Sequence, residues 1–248
     1  MQKRKILLGF VIVLAITYIG LQIFEQQIIA GYVRPIILPL LTLSYCLVNK
    51  ERSSNFFYFF LFYSIADLLS LFNYYAQYSY LVDNILYYGG NILYISAYAF
   101  LIIEILKSMN VKRIFNRFTT YILILVALDI YSIILVTDIA IKSEVLFGVY
   151  DFLIEIVYNT VVMLLLTITL INYISKHTKK AMNLLLGALC IVFSEVIQVA
   201  YFYVSEQNIL SIVYSILLVL AFTFFYIQSK LVFADNSESF ETIDKLEA

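Results

Sequence analysis

Eight stretches of this chain are apolar over a length close to that of a helix crossing a bilayer, and each is closed at both ends by polar residues. A hydrocarbon core of about 30 Å takes about 20 mostly apolar residues in helical form. The runs extend from Ile6 to Phe24, Tyr32 to Val48, Phe56 to Tyr75, Ile85 to Leu106, Thr119 to Val136, Leu146 to Tyr173, Ala181 to Val204 and Ile209 to Phe233. Membrane β-strands need only about ten residues, so runs of this length predict helices rather than a barrel. Composition agrees: 63% of the 248 residues are apolar and 13% are charged, against about 45–50% and about 25% in soluble domains. The expected fold is therefore all-α, a polytopic membrane helix bundle with eight transmembrane helices in a single domain over residues 1–233. An acidic tail, 234–248, is expected to be disordered.

The positions of the charges predict an orientation. If the N-terminus is cytoplasmic, every one of the sixteen basic residues except Arg34 and Lys142 falls on the inner side, as the positive-inside rule requires. Both termini are then cytoplasmic, and the protein is an integral, multi-pass one, of the cytoplasmic membrane if the cell is bacterial. The first run follows Lys3, Arg4 and Lys5 and so also resembles a signal peptide. It lacks an A-x-A-like cleavage site and is expected to be a retained helix. A formal charge of -1 gives no electrostatic case for a nucleic-acid partner. Cys46 and Cys190 lie in apolar runs and imply no disulfide framework, and His177, the single histidine, cannot build a multi-histidine zinc site. No metal or other cofactor is expected.

Carboxylates within the spans call for a reason, because one near the bilayer centre costs about 2.5–3.5 kcal/mol to insert. Asp67 in the third run, Asp129 in the fifth, Asp151 and Glu155 in the sixth and Glu195 in the seventh lie at middle or outer depths. The i, i+4, i+8 spacing of Asp151, Glu155 and Asn159 puts them on one helix face. Ser64 shares a face with Asp67, while Ser194 and Gln198 flank Glu195; Asn91 and Arg34 are also on the outer half. Should these faces converge, they enclose a polar cavity richer in acid than in base. Crowded carboxylates there cannot all ionise, which yields a proton donor beside a group able to activate water. Arg34 could hold an anionic head group bidentately. Hydrogen bonding between helices is the expected role of Glu104, near an inner end, whereas Asp129 fits either reading equally.

Several segments resemble the YhhN family of eight-helix membrane proteins, whose characterised members are lysoplasmalogenases. Arg34-Pro35 with Ile36-Ile37-Leu38-Pro39-Leu40-Leu41 is similar to that family's Lys-Pro opening of helix 2, and Ser64-Ile65-Ala66-Asp67-Leu68-Leu69 to its Ser-x-x-Gly-Asp-x-x-Leu region. Tyr158 to Met163 resembles a Tyr-x-x-x-x-Met run, and Gly187-Ala188-Leu189-Cys190-Ile191-Val192-Phe193-Ser194-Glu195 resembles Gly-Ala-x-x-Phe-x-x-Ser-Asp. The chain departs from these patterns at Ala66 for Gly, at Ser64, one residue nearer the Asp, at Ile191 for Phe and at Glu195 for Asp. In the fourth run Gly90, Tyr94 and Tyr98 fall on the family's Gly-x-x-x-Phe-x-x-x-His positions, so Tyr98 replaces a histidine.

The resemblance implies hydrolysis of the vinyl ether of a membrane lysolipid, with Asp67 and Glu195 as the acid/base pair. Arg34 would then be the head-group anchor, with Glu155, Asn91 and Tyr98 as supporting hydrogen-bonding groups and Ser64, Asp151, Asn159, Ser194 and Gln198 around them. Two other classes fit the same buried acids: a proton-coupled transporter or ligand sensor, and a protein that binds lipid and catalyses nothing. No internal repeat marks a transporter, and Pro35 with Pro39 is the only hint of an unwound helix. The sequence says nothing about oligomeric state.

Overall fold

The computed structural model describes residues 2–48, 53–72, 79–142 and 148–231. The acidic tail, Lys50, Arg52 and Lys245 lie outside the described residues, and of Lys3, Arg4 and Lys5 only the helical backbone is described. Among the described residues there are nine α-helices: α1 (Gln2–Ile23), α2 (Gln27–Val48), α3 (Ser54–Leu69), α4 (Tyr80–Lys107), α5 (Val111–Arg117), α6 (Thr119–Lys142), α7 (Val149–Lys176), α8 (Lys179–Tyr203) and α9 (Asn208–Ser229). Eight of them, all but α5 and counting α3 with the 3-10 turn Ser70–Phe72 that continues it, are long and apolar enough to cross a membrane, as an integral multi-pass protein requires.

Several helices outrun the apolar stretches, while α3 ends at Leu69 rather than Tyr75 and α9 at Ser229 rather than Phe233. α2 starts at Gln27 rather than Tyr32, α4 at Tyr80 rather than Ile85, and α6 reaches Lys142 rather than Val136. A helix stops where its backbone groups find other partners, not where hydropathy falls. α5 was expected only as a basic connection; its first turn is capped by Asn110, whose Oδ1 accepts from the Arg113 amide at 3.2 Å. Glu25, φ 58°, and His177, φ 49°, end α1 and α7 in the left-handed conformation that turns the chain back within a few residues. The Thr178 hydroxyl then caps α8, 3.2 Å from the Ala181 amide.

Short connections make consecutive helices antiparallel neighbours. α1, α2, α3, α4, α7, α8 and α9 pack in that order, and α9 closes the ring on α1. α6 stands outside it, against α7 and α8. Polar side chains tie the members together: Tyr18 to Ser215 at 2.7 Å, Ser44 to Tyr226 at 3.0 Å, and Thr42 to Ser64 at 2.8 Å. Such bonds matter where helix and lipid are equally apolar and burial alone drives little association. α2 remains continuous although Pro35 and Pro39 lie inside it.

The two ends of the ring differ. Lys107, Lys112, Arg113, Arg117, Lys176, Lys179, Lys180 and Lys230 gather at the end formed by the C-termini of α4, α7 and α9 and the N-terminus of α8. Inside that half, Phe56, Phe59, Phe60, Tyr63, Phe222 and Phe225 form an aromatic core. Phe56 meets Phe60 edge-on at 4.9 Å, and Phe59 meets Phe225 at 5.3 Å, geometries that suit the ring quadrupoles. Gly187 permits this contact, because a methyl group there would sit 2.6 Å from Phe225 Cε1.

Candidate functional site

At the other end the core gives way to a cavity of about 590 Å³. Four helix faces supply most of its wall. On α4, Asp83, Tyr87, Asn91 and Tyr94 follow one another at intervals of three or four residues and so share a face. α7 contributes Glu155, Tyr158 and Asn159, α8 contributes Glu195, Gln198 and Phe202, and α2 contributes Arg34; Tyr63 of α3 forms part of the floor. At a rise of about 1.5 Å per residue, Glu155 and Arg34 lie about 9 and 10 Å along their helices from this end. Gly89 and Gly90 lie within continuous α4, with nothing within 4 Å of either missing Cβ. What the absent side chain at Gly90 does is leave room, since Gly90 lines the cavity.

Two acids of the wall, Glu195 and Glu155, are held by neighbouring side chains. Tyr98, fully buried, donates to Glu195 Oε1 at 2.9 Å, and Tyr158 is that carboxylate's second hydroxyl neighbour. Asn159 donates to Glu155 Oε1 at 3.1 Å. Asp67 lies behind the wall, where Tyr94 donates to its Oδ1 at 2.8 Å and Arg34 Nη2 stands 3.9 Å from the same oxygen. That last distance is an ion pair without a hydrogen bond. Among the described residues the guanidinium makes no hydrogen bond, and 24% of the Arg34 side-chain surface is open. Tyr87 has a buried hydroxyl with no partner among the described residues.

A second hollow, of about 220 Å³, runs between α1, α2 and α9. Its floor is apolar: Val11, Ala15, Leu38, Leu41, Leu218 and Phe222. Ile12 and Ile16, exposed on the flank of the bundle, and Thr223 form its rim. Tyr18, Arg34 and Asp67 are its polar lining residues, and Arg34 also faces the larger cavity.

Of the residues selected from sequence, Arg34, Asn91, Glu155, Asn159, Glu195 and Gln198 come together around the cavity, with Tyr98 supporting Glu195 from beneath. Asp67 and Glu195 do not bond to each other; each has its own tyrosine, and the charge of Arg34 acts on both. Three selected residues serve elsewhere. Ser64 bonds Thr42 and the Phe60 carbonyl, and Ser194 donates to the Tyr214 carbonyl at 2.9 Å. Asp151 accepts from Tyr88 and from the Gly148 amide, capping α7. Glu104 accepts from Ser53 and Asn55, and Asp129 accepts from Thr167 at 2.7 Å. Both of these tie helix to helix.

Sequence reasoning passes over Tyr63 and Tyr87, and includes Tyr94 and Tyr158 only as motif positions, not as site residues. The three- and four-residue intervals along α4 were a usable signal for Tyr87 and Tyr94; with 22 tyrosines in the chain, nothing comparable marks Tyr63. Among the described residues, no three His, Cys, Asp or Glu side chains gather as a metal site requires. No protein-family model matches the chain, and no curated protein or solved structure is significantly similar to it.

Proposed function

We propose that this is a membrane-embedded hydrolase that takes a single-chain lipid with an anionic head group from the bilayer and opens its vinyl ether. The basic end faces the cytoplasm and the cavity opens toward the outer leaflet, in keeping with the positive-inside rule. One observation carries the reading: Glu155 and Glu195 line one cavity between the helices together with an arginine that makes no hydrogen bond among the described residues.

Vinyl ether hydrolysis begins with proton transfer to the β-carbon, which leaves an oxocarbenium ion. Water then adds to the α-carbon and loses a proton, and the hemiacetal collapses to an aldehyde and the free alcohol of the head-group fragment. One water is consumed and the catalytic proton is returned. The Glu155 and Glu195 carboxyl groups supply the donor and the base, and a carboxylate beside the cation steadies it. Asp67 keeps Arg34 turned toward the head group rather than touching the reacting atoms. The YhhN-like segments of α2, α3, α7 and α8 support the same chemistry.

Aldehyde release from a vinyl-ether lysolipid by purified protein in nanodiscs tests the reading. Glu195→Gln and Glu155→Gln should each lower kcat by about 100-fold or more, while Arg34→Gln should act mainly on KM. Absence of aldehyde, or equal rates in all three variants and the parent, rejects hydrolysis. A second reading is favoured by the Tyr98 and Asn159 bonds, which already engage both acids: the cavity binds or carries its ligand uncleaved. Uptake into liposomes driven by a pH gradient, with the lipid recovered intact, would select that alternative.

A further inference from the structure

We infer that the groove between α1, α2 and α9 is the hydrocarbon-chain subsite and the lateral entrance of the ligand, with Arg34 as the junction where chain and head group part. This rests on the amphiphile reading above for its ligand but not on cleavage.

Three observations carry it. The groove has a buried apolar floor and a rim on the flank of the bundle at Ile12, Ile16 and Thr223, so it opens where acyl chains would lie. It contains the Arg34 guanidinium, which is also part of the polar cavity wall; the two hollows thus share one cation. That cation stands 3.9 Å from Asp67 with no hydrogen bond between them, which leaves its donors to an anionic group arriving with the chain. A purely apolar ligand would have no use for the charge, and a free soluble anion no use for Val11, Leu38 and Leu218.

Lipid tails are as apolar as the groove, so a chain gains little by leaving the bilayer for it. The groove therefore selects by shape. Ala15 in the floor and Val219 on the α9 side set the space, and larger side chains there should exclude a chain without disturbing the cavity.

A single-chain alkyl phosphate bearing a diazirine at the chain end, incorporated in phosphatidylcholine nanodiscs, provides the test. It has no ether to cleave, so its outcome is separate from that of the hydrolase reading. Photolabelling should concentrate on Ile12, Ile16, Val219 and Thr223 and exceed that of Leu123 and Ile134 on outlying α6. Ala15→Leu with Val219→Phe should lower groove labelling about tenfold, the scale on which an apolar pocket discriminates size, and leave α6 labelling unchanged. Thr223→Phe, on the exposed rim, repeats the block without touching the floor, and an unaltered thermal transition identifies a folded variant. Labelling spread equally over α6 and the groove, or groove labelling indifferent to a folded blocking variant, overturns the proposal even if aldehyde release is found. Groove labelling that Thr223→Phe abolishes upholds it even if no aldehyde is ever released.

Discussion

The same helices build a dry half and a wet half. In the half that carries the basic cluster, α3, α8 and α9 present Phe56, Phe59, Phe60, Ala188 and Phe225 to one another in an apolar, largely aromatic core. Two to three turns further along, α3 and α8 present Asp67 and Glu195, and the packing partners become tyrosines and an arginine. Tyr63 is the boundary: its ring meets Phe222 at 4.8 Å on one side and Tyr94 at 4.7 Å on the other. The dry half thus fixes the helices tightly enough for the wet half to leave a hollow. A bundle packed evenly from end to end would have no cavity, and one hollow throughout would have no fixed wall.

This division can be broken most forcefully at Phe59, which is completely buried. Phe59→Ala should cost about 3–5 kcal/mol, read from denaturant unfolding in micelles, whereas Asn91→Ala in the cavity wall should stay within about 0.5 kcal/mol. Equal losses would mean that the two halves are not mechanically different. Tyr98→Phe takes a donor from Glu195 and should cost about 1–3 kcal/mol. Of similar size, Gly187→Ala forces the Phe225 ring to move, an overpacking penalty of about 1–3 kcal/mol. Smallest, and of opposite sign, Gly90→Ala enters open space in α4 and should stabilise by up to about 1 kcal/mol. The two glycine variants compared by thermal melting sharpen the contrast, since the same methyl group is added to each half.

The spans were legible because the length of an apolar run is a property of one segment at a time. Their ends were less so: Gln27 and Tyr80 extend α2 and α4 for reasons of backbone hydrogen bonding that hydropathy does not register. For the site, spacing gave the faces, and Glu155 with Asn159 on α7 could be grouped from sequence alone. Spacing does not give the rotation of one helix against the next. Hence depth and motif likeness pair Asp67 with Glu195, whereas the fold turns Asp67 toward Arg34 and Tyr94 and places Glu155, with Asp83, in the cavity wall beside Glu195. The same ambiguity placed Ser64 and Ser194 at the site, although each spends its hydroxyl on helix packing. Tyrosines were too numerous to single out by type.

Arg34 lies on α2 and its counter-ion Asp67 on α3, the next helix along the chain. Chains fold from the N-terminus as they are made, so the guanidinium that enters lipid with α2 has to wait for one more helix only before its charge is met. Glu195, by contrast, comes on α8, when Tyr98 of α4 is already in place to receive it. Each costly charge is thus matched by a helix already made or by the next to come, whereas the groove between α1, α2 and α9 takes shape only when α9 packs against α1. A nascent chain halted before α9 would carry every ionisable residue of the cavity wall yet lack one side of the groove.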